Sequence, residues 1–207
     1  MMLSSQSVVG VENDCCRGNT ATGPLIDAEL LQKYAAPVPR YTSYPTAAHF
    51  RPEIDHGTYG TWLSALPEAS KLSLYVHIPF CDTLCWFCGC TTKAVQRYTP
   101  VATYLPVLKN EIADVARHVG TSHKVMHLHW GGGSPDILRP DDITSLAETL
   151  KTNFPLAEGG EFAVEVDPRV ITAEQVAAFA NSGVNRISIG VQDFSEEVQH
   201  AINRLQS

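Results

Sequence analysis

Residues 75–90 read YVHIPFCDTLCWFCGC, in which an apolar, strand-like run leads directly into four cysteines. Cys81, Cys85 and Cys88 follow the spacing C-x3-C-x2-C, and Cys90 comes two residues later. Thiolates this close on one loop can converge on a single metal centre, because the chain between them is long enough to turn and too short to separate them. Iron–sulfur clusters and zinc both use such loops. The stretch therefore predicts a metal-binding loop at the end of a strand.

Strands and helices alternate from this stretch towards the C-terminus. Hydrophobic periodicity predicts strands over residues 72–78, 125–130, 161–166 and 185–191. Helices are predicted over 101–119, over 141–154 with Asp141 as the N-cap, from Thr172 with Gln175 in a capping box, and from Ser195 onwards. Four such units with short connections predict an α/β fold with a parallel sheet and right-handed crossovers.

Polar residues occupy one face of each predicted strand, and apolar residues occupy the other. A doubly wound sheet, covered by helices on both faces, would need apolar residues on both. We therefore predict a partial (β/α) barrel of about four βα units with a polar lumen. Four units leave the last strand with a bare edge, so we expect an N-terminal part of a longer protein or a truncated product. The polar positions are Tyr75, His77, His127, His129, Glu165, Asp167, Ser188, Gly190 and Gln192.

Composition limits the class of protein. The chain has 207 residues, 44% of them hydrophobic, and a formal net charge of −7, which argues against a nucleic-acid partner. It lacks an apolar run long enough for a membrane span and a signal-peptide pattern, so we expect a cytosolic protein with reduced thiols. We predict a disordered tail over 1–23, an N-terminal arm and helices over 24–70, including a helix at about 56–66, and the partial barrel over 71–207.

Several unusual motifs follow the predicted strands at their C-terminal ends, the rim where parallel α/β folds build their sites. Gly131–Gly133 follows the second strand and suits either close approach of a ligand or a tight turn. Glu165 ends the third strand, where it suits equally a ribose diol or an ion pair with Arg169. By spacing alone, Arg204 reads as an ordinary exposed helix residue.

The identity of the metal depends on the fourth ligand. Structural zinc usually takes four protein ligands in two pairs, and Cys90 or His77 could complete such a set. A cubane cluster held by three cysteines instead leaves one iron open, and Cys90 is then a small buried residue. His127 and His129 read as interior histidines.

Six motifs together resemble the oxygen-independent coproporphyrinogen III oxidases, a family of radical S-adenosylmethionine enzymes. The resemblance covers residues 27–205, with Trp86 in place of a usual tyrosine and Ser134 in place of a usual threonine. The motifs are RYTSYPT at 40–46, YVHIPFC at 75–81, CWFCGC at 85–90, HWGGGSP at 129–135, EVDPR at 165–169 and GVQDF at 190–194.

The resemblance implies a [4Fe-4S] cluster and two molecules of S-adenosylmethionine. The cluster would be held by Cys81, Cys85 and Cys88. The first S-adenosylmethionine would be contacted by Tyr75, Phe87, Gly132 and Glu165. The second would be contacted by Gly133, Ser134, Gln192 and Arg204.

The implied reaction converts coproporphyrinogen III to protoporphyrinogen IX without oxygen, in haem biosynthesis. A 5′-deoxyadenosyl radical would take a hydrogen from a propionate, and loss of CO2 and a second electron would leave a vinyl group. We expect a monomer served by an electron donor protein, with Arg40 and Arg169 as candidate cations for the substrate. The family's later units are missing, so the chain as given is expected to be inactive alone. A haem-chaperone-like relative and a zinc-stabilised non-catalytic module are the alternatives.

Overall fold

The computed structural model describes residues 28–34 and 46–206. The chain divides into two compact units, residues 1–51 and 52–207. In the first unit, helix α1 spans Ala28–Tyr34 and a 3-10 turn spans Ala47–His49. The predicted tail, Arg40 and residues 40–45 of the predicted arm lie outside the described residues.

The second unit alternates helices and strands. Its helices are α2 (His56–Ser64), α3 (Thr99–Val119), α4 (Pro140–Asn153), α5 (Ala173–Asn181) and α6 (Glu196–Ala201). Its strands are β1 (Lys71–Ile78), β2 (Phe80–Cys81), β3 (Lys93–Ala94), β4 (Lys124–Gly132), β5 (Leu156–Val166) and β6 (Arg186–Ile189).

Four of these strands form one parallel sheet in the order β1-β4-β5-β6, which is also their order in the chain. A doubly wound sheet reverses its strand order at a switch point, and this sheet does not. The crossover helices α3, α4 and α5 pack side by side. The parallel α/β fold with a partial barrel is thus confirmed.

The core lies between the sheet and these helices. The apolar face of the central strands is buried, with Trp130 and Phe162 fully enclosed and their rings 5.3 Å apart. The opposite face is open, and Tyr75 there is 58% exposed. The predicted polar face therefore exists. On β6, however, Ile187 and Ile189 are 44% and 57% exposed, so the predicted burial of its apolar face is wrong.

Several element boundaries differ from the predictions, among them the starts of α4 and β5 and both ends of β6. Helix α4 is capped by Arg139 without a side-chain bond, and Pro140, whose ring fixes φ, starts it, so Asp141 lies in the first turn instead of at the cap. Strand β5 begins five residues earlier than predicted because Leu156 already pairs with Val125 of β4. The register then shifts, and the next pair is His127 with Glu161. Strand β6 is shorter than predicted.

The Thr172–Gln175 capping box of α5 is present with both of its hydrogen bonds, as predicted. Within residues 28–34 and 46–206, none of the helices combines the length and the apolar character that a membrane span needs.

Candidate active site

The cysteine loop is closed at its base by a short parallel pair of strands. β2 pairs with β3, the Lys93 amide donates to the Pro79 carbonyl at 2.9 Å, and the Val95 amide donates to the Cys81 carbonyl at 2.9 Å. Cys81 is thus fixed where the loop leaves the sheet, and its thiol lies 3.3 Å from the Thr92 hydroxyl. Burial raises the pKa of this thiol, although the Thr92 hydrogen bond acts against it.

Residues just after α6 hold the far side of the same loop. The Trp86 amide donates to the Ile202 carbonyl at 2.8 Å, and the Asn203 side-chain amide donates to the Leu84 carbonyl at 2.9 Å. We call residues 202–204 the clamp. Through these bonds the clamp shapes the loop between Cys81 and Cys88, although it lies more than a hundred residues away in the chain.

Each glycine of Gly131–Gly133 is required by a close neighbour. A Cβ on Gly131 would lie 2.9 Å from the Glu165 carboxyl carbon. Gly132 has φ +112°, and a Cβ there would lie 2.6 Å from the His77 ring. On Gly133 a Cβ would meet the Phe80 carbonyl and lie 2.6 Å from the Thr92 hydroxyl. The turn thus lies against the cysteine loop and Glu165.

His77 and His129 connect the residues that are predicted to contact the first S-adenosylmethionine. The Tyr75 ring stacks on His129 with centroids 5.9 Å apart, and its hydroxyl donates to His77 Nδ1 at 2.9 Å. His77 Nε2 donates to the Thr91 carbonyl at 2.9 Å. Burial, followed by the charge of Glu165, raises the pKa of Tyr75, which keeps it a phenol. Both nitrogens of His77 are occupied, so it is not available as a zinc ligand.

Glu165 pairs with a histidine and not with the arginine that the sequence suggested. Its Oε1 lies 2.9 Å from His129 Nε2, while Arg169 binds Asp167 at 2.6 Å. The Glu165 side chain is 46% exposed, so it can still accept from a ligand. Gly132 lies against the His77 ring, and Phe87 is 62% exposed on the cysteine loop.

Arg204 is a buried residue, contrary to the expectation of an exposed helix position. It is 7% exposed, because α6 ends at Ala201 and the chain turns back. Its guanidinium donates to the Gly190 carbonyl at 2.6 and 3.1 Å, lies 3.2 Å from Asp167, and reaches Cys85 Sγ at 3.8 Å. It therefore places a positive charge beside a thiol of the loop.

Asp167 lies between two arginines. Burial alone would raise the pKa of its carboxyl, but hydrogen bonds from Arg169 and the charges of Arg204 and Arg169 lower it overall. Arg169 also donates to the Asn203 carbonyl at 3.3 Å, so protein partners hold its guanidinium in place. Gln192 adopts φ +68° and completes this side of the site, where its amide would lie 2.8 Å from a Cβ on Gly190.

Ser134 connects the glycine turn to the same cluster. Its hydroxyl donates to Asp136, whose second oxygen accepts from the Asp167 amide at 2.7 Å. Burial raises the pKa of Asp136. A cavity of about 220 Å³ opens between these groups and the cysteine loop, lined by Cys81, Asp82, Thr83, Ser134, Asp167, Arg169 and Val170.

Three contributors to this site are not visible in the sequence pattern. Thr92 and Asn203 lie in irregular segments, and Asp136 lies in a 3-10 turn (Pro135–Ile137), so no periodicity singles them out. Cys90 was expected to be buried behind the metal, but it is exposed.

The fold and this arrangement of residues define a class of protein. A family model described as the radical SAM superfamily matches residues 75–207. The chain therefore belongs to the radical SAM superfamily, whose members use a [4Fe-4S] cluster and S-adenosylmethionine.

Two individual proteins that are similar to this chain carry the same name. The chain is 51% identical over 170 residues to the oxygen-independent coproporphyrinogen III oxidase of Bradyrhizobium diazoefficiens, covering 82% of this chain and 38% of that protein. It is 44% identical over 179 residues to the enzyme of that name from Paracoccus denitrificans, covering 86% and 40%.

A solved structure, coproporphyrinogen III oxidase (HemN) from Escherichia coli, described as a radical SAM enzyme, matches with a TM-score of 0.75 and 40% identity. That match covers 86% of this chain and 39% of the other. The chain spans about two fifths of the length of the curated relatives it matches.

Proposed function

We propose that Cys81, Cys85 and Cys88 hold a [4Fe-4S] cluster whose fourth iron is left open for S-adenosylmethionine. One observation carries this proposal, namely that the cysteine loop, the glycine turn and Glu165 meet at the same end of the sheet. Thr92 contacts both Cys81 and the space beside Gly133, which brings the loop and the turn together.

The spread of the thiols fits a cluster better than a single ion. A tetrahedral zinc ion with Zn–S bonds of about 2.3 Å would need sulfur atoms about 3.8 Å apart. Among the residues that the structure describes, no three cysteine donors lie within 4.8 Å of one another. Cluster ligands attach to different iron atoms and so stand further apart. The positive charge of Arg204 beside Cys85 also suits an anionic cluster.

Glu165 is proposed to accept from the ribose of the first S-adenosylmethionine. The bond from His129 fixes one of its oxygens, and the stacked Tyr75 ring supports His129 from the side, so the carboxylate is oriented before a ligand arrives. Gly132 would let the backbone approach the ligand, and Phe87 would reach it from the loop. Gly133, Ser134, Gln192 and Arg204 are proposed to contact a second molecule, next to the cavity that Ser134 lines.

The substrate proposed for the whole protein is coproporphyrinogen III, which the names of the relatives carry. When bound, the cluster and S-adenosylmethionine would supply the one-electron chemistry that removes a hydrogen from a propionate. The protein would position the cofactor and exclude water and oxygen. An electron donor protein would supply the electrons.

Anaerobic reconstitution with iron and sulfide tests the cluster. We expect about four irons per chain and a broad visible absorption that Cys85→Ala removes. Cys90→Ala is the matched control from the same loop and should keep the absorption. Stoichiometric zinc in place of iron would refute the cluster and favour the zinc-stabilised module.

Calorimetry with S-adenosylmethionine tests Glu165. Glu165→Ala should weaken binding while the iron content and visible spectrum stay unchanged. His129→Ala should weaken binding less, because the carboxylate remains but loses its fixed orientation. Unchanged affinity in Glu165→Ala would remove the proposed ribose contact.

CO2 release from coproporphyrinogen III under anaerobic conditions tests the substrate. We expect release that depends on S-adenosylmethionine and on a low-potential reductant. Haem binding without CO2 release would instead favour the haem-chaperone-like alternative.

A further inference from the structure

A second group of metal-ligating side chains lies where α2 meets α3. His56 begins α2, and Asp114 and His118 lie one turn apart on α3. His56 Nε2 is 3.3 Å from Asp114 Oδ2, and the rings of the two histidines are 6.2 Å apart. One ligand atom from each of the three residues lies within 4.8 Å of the others.

The spacing already approaches that of a bound ion. Ligands at about 2.0–2.1 Å from a tetrahedral zinc ion are about 3.3–3.4 Å apart. The His56–Asp114 pair is at that separation without any adjustment. The His118 ligand atom lies within 4.8 Å of the other two, so it must move closer for all three to bind one ion. The i,i+4 spacing of Asp114 and His118 puts both on one face of α3.

Packing holds two of the three ligands in place. Gly60 of α2 is buried against His118, and a Cβ there would lie 2.9 Å from the ring. Asp55 caps α2 by accepting from the Thr58 amide at 2.8 Å, which fixes the turn that carries His56. The site therefore does not depend on free loops.

The donor set suits a divalent transition ion. Two imidazoles and one carboxylate are typical ligands of zinc, with the fourth position left to water. An aspartate is ionised at neutral pH, so the Asp114 carboxylate can act as a ligand. Arg117 binds the other oxygen of Asp114 and would compete with a cation, but its side chain is 75% exposed and free to move away.

We propose that His56, Asp114 and His118 bind a divalent transition-metal ion such as Zn²⁺, apart from the cysteine loop, and that this ion fastens α2 to α3. The proposal is independent of the function proposed above. The competing explanation is an ordinary His–Asp–Arg surface network that binds no ion, and the two differ in their response to added zinc.

The test uses the cluster-loaded protein, so that the loop thiols are occupied. Zinc is titrated anaerobically against a chromophoric chelator. We expect one saturable zinc site per chain, with affinity reduced about tenfold or more in His118→Ala and in Asp114→Asn. His200→Ala is the control, because His200 also has an i,i+4 acidic neighbour, Glu196 at 3.8 Å, but no third ligand among the described residues. It should bind zinc like the parent protein.

Two further variants keep the proposal falsifiable if a ligand variant unfolds. Gly60→Ala retains all three ligand side chains but displaces the His118 ring, so it should weaken zinc binding. Arg117→Ala removes the competitor for Asp114 and should strengthen it. In a background with all six cysteines changed to serine, Co²⁺ should still bind, and without a thiolate charge-transfer band. Absence of saturable binding, or equal affinity in His118→Ala, Asp114→Asn and the parent, would overturn the site.

Discussion

Replacing Arg204 by methionine tests how much the clamp contributes to the free energy of unfolding. The Arg204 side chain is 8% exposed and that of Asp167 is 11% exposed, so their ion pair is largely buried. Removing one partner of a buried pair costs about 3–5 kcal/mol when the other charge is left alone. Here Arg169 still binds both oxygens of Asp167, which reduces that cost.

A second cost comes from the Gly190 carbonyl, which accepts two bonds from Arg204. Leaving a fully buried acceptor without a partner costs about 1–3 kcal/mol. Gly190 is only partly buried, so its carbonyl should contribute near the lower end of that range. Methionine fills much of the volume of the arginine stem, so the packing loss is small. Together these effects predict a decrease of about 2–4 kcal/mol in the free energy of unfolding.

Urea denaturation of Arg204→Met measures this decrease. With an m-value of about 2 kcal/mol/M, the midpoint should fall by about 1–2 M. Arg186→Met is the matched control, because Arg186 also pairs with a carboxylate, Glu161 at 3.0 Å, but is 64% exposed. Such a surface pair contributes about 0–1 kcal/mol. If both variants shift the midpoint equally, the buried contacts of Arg204 do not contribute more to the free energy of unfolding than an exposed ion pair does.

Three further changes test other parts of the structure. Gly132→Ala should lower the free energy of unfolding by about 2–4 kcal/mol, since alanine at φ +112° is strained and its Cβ would meet the His77 ring. Gly89→Ala is the control and should be nearly neutral, because the space around Gly89 is open. Similar losses of stability in the two variants would contradict the packing argument. Burial, then a hydrogen bond to Asp142, raises the pKa of Tyr98 to about 12. The stabilising effect of the raised Tyr98 pKa should be complete below about pH 10 and lost as the pH rises towards about 12. Urea midpoints should therefore fall over this pH range in the parent protein and fall less in Tyr98→Phe. Parallel curves for the two proteins would exclude this role of Tyr98. Thr172→Ala removes the N-cap of α5 and should cost about 1 kcal/mol by urea denaturation, and an unchanged midpoint would show that the cap is dispensable.

Periodic features of the fold were predictable from the sequence. The four strands of the main sheet alternate in polarity, and that pattern located the sheet and, on β1, β4 and β5, its open face. The capping box at Thr172 was legible because a side-chain cap is a local device that needs only nearby residues. The prediction of Asp141 as the N-cap of α4 was wrong because Pro140 starts this helix. Proline at the first helical position determines the start of the helix more strongly than the Asp141 carboxylate does.

Other features depend on contacts between distant segments, which a local pattern does not contain. The early start of β5 requires the shifted pairing with β4. Strands β2 and β3 have two residues each, too few to show a period. Burial of Arg204 requires the chain to turn back after α6 and meet Asp167. Within the site, the motif residues were predictable, but the bonds that position them were not.

The clamp also sets an order of events during synthesis. The bond between Asn203 and Leu84 joins residues 119 positions apart. At about 5–20 residues per second, a ribosome needs roughly 6–24 s to make the intervening chain. During that interval the cysteine loop has left the first strand but lacks the partner that shapes its far side. If the loop holds the proposed cluster, iron that arrives early would meet thiols that are still free to exchange ligands, and durable loading should wait until residue 204 has been made and has folded back.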